Sequence, residues 1–125
     1  MPPRPGLTAR IDLDVTEPDT ALAIGSGDVP VLSTPRVVAL CEQAAIAALN
    51  GCLVEGTTSV GMRVQLDHLA PTAIGHNVTA EATLEKVEGR RLVFTVCVRD
   101  ARSLVAAGKV TRVVVDREHF MEKAH

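Results

Sequence analysis

Residues 32–50, LSTPRVVALCEQAAIAALN, constrain this chain more than any other stretch. They read as one helix. Ser33 or Thr34 can cap its start by accepting a backbone N–H, and Pro35 suits a first turn that needs no N–H of its own. Val37, Val38, Leu40, Cys41, Ala44, Ala45, Ile46, Ala47, Ala48 and Leu49 then go nearly all round the cylinder. That is the pattern of a buried helix, and its alanines leave room for other backbone. Gly51 supplies a stop. One residue breaks the pattern. Glu42 lies in the column Val38–Glu42–Ile46–Leu49, which aims its carboxylate into an apolar layer. An unpaired buried carboxylate is costly, so Glu42 needs a partner or has a chemical task.

Most of the remaining chain is strand-like. Ile11, Leu13 and Val15 alternate with Asp12, Asp14 and Thr16 as a short half-buried strand. Residues 17–30 hold prolines and glycines around an apolar ALAI, a loop with one helical turn. Beyond the helix come four segments. The first puts Val60, Met62, Val64, Leu66 and His68 on one face, with Gly61, Arg63, Gln65 and Asp67 opposite. Val78, Ala80, Ala82 and Leu84 share a face of the second, and Leu92, Phe94, Val96 and Val98 a face of the third. Residues 104–116 are apolar on both faces and do not orient themselves. Glu88-Gly89 and residues 100–103 mark turns. Short turns imply antiparallel neighbours, and a sheet with one apolar face must cover it. Only the central helix can do so. The expected fold is α+β, one antiparallel sheet wrapped around one long α-helix. It forms a single domain over residues 9–118, with a loose leader at 1–8 and a fraying polar tail at 119–125.

Composition narrows the function classes. Of 125 residues, 46% are hydrophobic but only 2% aromatic, so aliphatic side chains must fill the core. A net charge of −2, without a basic stripe or stacking aromatics, argues against nucleic-acid binding. No apolar run approaches the roughly 20 residues of a membrane span, and the N-terminus lacks a signal-peptide core. Three cysteines without paired spacing fit neither a disulfide framework nor a zinc site. A cytoplasmic protein is the expectation.

His68 repeats the anomaly of Glu42. It ends the apolar face of its strand, the face expected to meet the helix. A carboxylate beside an imidazole is general-base equipment. Thr34 stands at a helix N-terminus, where free N–H groups and the helix dipole favour a developing negative charge. Gly61 interrupts a strand, which often marks close approach of another group. Each also has a plainer reading: a structural His, a cap, a carboxylate bonded to backbone or to a second subunit, a bulge. His76, His119 and His125 sit in a turn and in the tail and suggest no role.

The chain resembles the hotdog-fold thioesterases, and most closely the fluoroacetyl-CoA thioesterase-like group. The matching pieces are STPRVVALCE, SVGMRVQLDHLAPTAIGHNVTAEATLEKVEGRRLVF and GKVTRVVV. The family pattern is a Thr or Ser, a Glu eight residues later on the same helix, and a His on the following strand, with a strand glycine seven residues before that His. Thr34, Glu42, His68 and Gly61 fall on those positions. Arg112 matches an arginine of the last strand, without an assigned role.

The resemblance implies hydrolysis of an acyl-CoA thioester with Thr34, Glu42 and His68 as catalytic residues and an oxyanion contact near Gly61. It implies no metal and no cofactor beyond the coenzyme A of the substrate. It also implies a homodimer or a dimer of dimers joined edge to edge, with active sites between subunits. Glu42 either orients the machinery or attacks the carbonyl itself. The fluoroacetyl-specific enzyme carries phenylalanines in a lid before the helix. Residues 24–31 here have none, which argues against specificity for the fluorinated acyl group and leaves a general short-chain or other acyl-CoA as the expectation. The second reading is a non-catalytic hotdog module that binds acyl-CoA or serves assembly. A hydratase would place its His on the helix, where this chain has Glu.

Overall fold

The computed structural model describes all 125 residues. The central helix, α2 (Thr34–Ala48), follows a single turn, α1 (Ala21–Ile24). Ser33 is the cap of α2, its Oγ accepting the Arg36 N–H, so Thr34 is the first helical residue and Pro35 the second. Five strands form one antiparallel sheet: β1 (Thr8–Asp14), β2 (Thr57–His68), β3 (Asn77–Glu88), β4 (Arg91–Arg99) and β5 (Leu104–Asp116), in the order β1-β3-β4-β5-β2. The sheet wraps α2 as expected. Val37, Leu40, Cys41, Ala44, Ala45 and Ala48 of the helix meet Val78, Ala80, Ala82, Leu84, Leu92, Phe94, Val96, Val98 and Val110 of the sheet. Each buried Val, Leu or Phe contributes roughly 1.5–3 kcal/mol.

Four expectations are corrected. The helix packs chiefly against β1 and β3. The column Val38–Glu42–Ile46 therefore flanks the β2 side instead of entering the core, and Ile46 is 50% exposed. Secondly, β2 and β3 are consecutive but not neighbours. Residues 69–76 cross to the opposite side of the sheet, held where the Leu32 N–H donates to the Thr72 carbonyl at 2.8 Å. Pairing only with β5, β2 becomes an open edge twelve residues long.

Thirdly, the alternation of β2 is broken. Gly61 pairs with Arg112 and Arg63 with Thr111, leaving Met62 as an extra residue. Such a bulge reverses which side chains face the core. Leu66 and His68 face the helix as expected, but before the bulge Ser59 and Gly61 do so, and Val60 and Met62 turn to the far side. Lastly, the tail is ordered differently from expectation. Asp116 accepts the His119 N–H at 2.9 Å and caps α3 (Arg117–Ala124). The leader is also tied in before residue 9, through the Gly6 N–H to the Leu84 carbonyl.

Candidate functional site

Two polar clusters face the helix side of β2. In the first, Thr34 Oγ1 and His68 Nδ1 are 2.8 Å apart. The helix start and the strand end meet because α2 runs antiparallel to β2. His68 Nε2 is buried without a protein partner. Burial lowers the His68 pKa below its ordinary value, only partly offset by the backbone at Ala70, so the neutral ring is favoured. Beside this pair opens a cavity of about 310 Å³ whose lining includes Ala21, Gly27, Val29, Val31, Leu69 and Pro71. The lid stretch before the helix thus borders the pair with small and aliphatic side chains alone.

The loop over this cavity is pinned from below. Asp19 is 8% exposed. Its carboxylate accepts the Thr16 N–H at 2.8 Å and pairs with Arg36 Nε at 3.0 Å. Its carbonyl accepts the Ser33 N–H at 3.0 Å. Burial alone would raise the Asp19 pKa, but the Thr16 hydrogen bonds and the Arg36 guanidinium outweigh it and hold it below the ordinary value.

The second cluster surrounds Glu42. Arg112, 5% exposed, donates from Nη1 to Glu42 Oε2 at 2.9 Å. Its Nε and Nη2 donate to Ser59 Oγ and the Ser59 carbonyl, each at 2.9 Å. Burial lowers the Arg112 pKa and Glu42 opposes that shift. Gly61 lies under the same carboxylate, and a Cβ there would collide with Glu42 Oε2. The close approach expected at Gly61 is real, and the group that approaches is Glu42. Arg112 went unassigned as a partner from the sequence, although an arginine inside an apolar strand was the available signal.

The structure therefore joins Thr34 to His68, and Glu42 to Gly61 and Arg112, but does not join the two clusters within one chain. Thr34 and Glu42 are eight residues apart on one helix, about 12 Å along its axis.

A sheet of this order around one helix, with polar groups at the helix start and on its open-edge flank, defines a hotdog protein with a candidate acid–base site. The fluoroacetyl-CoA-specific thioesterase family model matches residues 15–118, and the chain belongs to that family. It is 36% identical over 93 residues to a fluoroacetyl-CoA thioesterase of Streptantibioticus cattleyicolor, covering 74% of this chain and 67% of that protein. The solved fluoroacetyl-CoA thioesterase FlK superposes with a TM-score of 0.90 at 30% identity, covering 97% of this chain and 94% of that one. A hot-dog-like protein from Thermanaerovibrio acidaminovorans superposes with a TM-score of 0.88 at 30% identity, over 96% and 89% of the two chains. A thioesterase superfamily member from Thermus thermophilus gives 0.89 at 28% identity, over 98% and 91%. No helix is long and apolar enough to cross a membrane.

Proposed function

We propose that this protein hydrolyses the thioester of a small acyl-CoA, using Thr34 and His68 from one subunit and Glu42, Gly61 and Arg112 from a second copy. Family membership supports the reaction class. The single observation that carries the site is the Thr34–His68 hydrogen bond, with the free Nε2 buried beside a small cavity lined by aliphatic side chains and by Ser26 and Ser33. A cavity of that size and lining suits a short acyl chain.

His68 is the base. Its Nδ1–H donates to Thr34 Oγ1, which leaves the Nε2 lone pair to take a proton from water. The water oxygen bonds to the thioester carbon, the C–S bond breaks, and the proton passes to the departing thiolate, giving free acid and coenzyme A. The N-terminus of α2 favours the charge that develops on the carbonyl oxygen. Glu42 aligns the water. Its pairing with Arg112 stabilises the carboxylate and makes it a poorer nucleophile, which favours water activation over an anhydride.

Two copies account for the separation of the clusters. The open edge of β2 offers twelve residues of backbone for an antiparallel partner. A two-fold axis near the middle of β2 carries the His68 end of one copy to the Gly61 region of the other.

The test is release of thiol from a panel of short acyl-CoAs. Wild type is expected to turn over the smallest members, and His68→Ala to lower kcat by about a hundredfold or more with an unchanged circular-dichroism spectrum. Binding of every member without turnover would favour the acyl-CoA-binding module instead.

A further inference from the structure

On the sheet face turned away from α2 lies a groove of about 380 Å³ that the reaction does not use. Val60 and Val113 belong to its floor, Phe120 of α3 stands over it, Arg90 and Lys123 supply its cations, and the His119 ring adds a polar edge. Asp116 also touches the groove, but its carboxylate is engaged as the cap of α3. The groove reaches the backbone at Gly61, whose other face carries the Glu42 carboxylate. A second cavity, of about 310 Å³, lies at the Thr57 end of β2, with Ile46, Ser59 and Arg117 in its lining. Ile46 is one helical turn from Glu42, and Ser59 binds Arg112. Arg117 begins α3. The two cavities share no lining residue but adjoin round the end of β2, where Ser59 and Arg117 of one neighbour Val60 and Asp116 of the other, with α3 beside both.

We propose that the outer groove binds the nucleotide end of the acyl-CoA, with adenine against Phe120 and the valine floor and the phosphates on Arg90 and Lys123. The assignment rests on the thioesterase reading above. Its chemistry matches: the nucleotide end combines one flat apolar base with several phosphate charges, and the groove combines an apolar floor with clustered cations. Guanidinium and ammonium groups hold phosphate oxygens through charge-assisted hydrogen bonds. This clustering stands out on a chain whose net charge is −2. From Gly61 to the Thr57 end of β2 is four strand residues, about 13 Å at roughly 3.3 Å each, which the flexible arm between the thioester and the pyrophosphate can span.

The test compares wild type with the Arg90→Ala/Lys123→Ala double variant on acyl-CoA and on the acyl-pantetheine thioester, which lacks the nucleotide. The double variant is expected to raise KM for acyl-CoA about tenfold or more, leaving kcat and the pantetheine substrate unchanged. An unchanged KM for acyl-CoA, or equal losses on both substrates, overturns the assignment. Calorimetry with adenosine 3′,5′-bisphosphate reads the groove without turnover. Binding by wild type that is lost in the double variant supports the site even if no thioester is cleaved, and equal binding by both proteins overturns it.

Discussion

Arg112 Nη1 holds Glu42 Oε2 at 2.9 Å from a position where the arginine is 5% exposed. This fixes the carboxylate over Gly61, one half-site away from the His68 of its own chain. If catalysis needs both, the two half-sites must come from different copies. Glu42→Ala and His68→Ala variants, each inactive alone, are then expected to regain about a quarter of wild-type activity when mixed and allowed to exchange subunits. Half of the random dimers are mixed, and each carries one intact site. Thiol release after mixing measures this. No recovery, with exchange demonstrated by mass spectrometry, would place the whole site within one chain.

Gly61 is required by contact rather than by backbone conformation. A Cβ at this position meets the Glu42 carboxylate, so Gly61→Ala should push Glu42 out of its bond with Arg112. Loss of a well-placed charge-assisted contact in a site costs about 3 kcal/mol of transition-state stabilisation, or roughly a hundredfold in kcat. The KM should change little. Steady-state kinetics checks this, and a variant of full activity would remove Glu42 geometry from the mechanism.

Burial lowers the His68 pKa from its ordinary value of 6.5. A base must be unprotonated, so kcat/KM should rise with pH and level off before neutrality, with its acidic limb centred below 6.5. A pH–rate profile on one acyl-CoA reads this directly. A limb at or above the ordinary histidine value would contradict a desolvated His68 as base.

The Asp19–Arg36 pair governs acid stability of the loop that borders the cavity. Because the folded pKa of Asp19 lies below its ordinary value of 3.8, its contribution is complete above that value and is lost as pH falls through the folded one. Arg36→Ala removes a hydrogen bond to a buried carboxylate and should cost about 2 kcal/mol at neutral pH. Denaturant titrations at pH 7 and pH 3 should show the gap between wild type and variant narrowing in acid.

Much of this protein was legible in its residues. The all-round apolar helix and the alternating segments determined a sheet around a buried helix, because hydrophobic periodicity is local and survives in any tertiary context. Thr34, Glu42, His68 and Gly61 were visible as residues out of keeping with their surroundings, and the ALAI turn was visible between its breakers. Tertiary structure alone decided the rest. The Met62 bulge reverses the faces of β2, and one extra residue in a strand leaves no compositional mark. The strand order is set by long-range pairing, so the open edge of β2 could not be read from short turns. The partner of Glu42 proved to be Arg112, seventy residues away, because a buried charge seeks whichever opposite charge the sheet brings beside it. His119 and Lys123 acquire a face and a groove only when Asp116 caps α3 against the far side of the sheet.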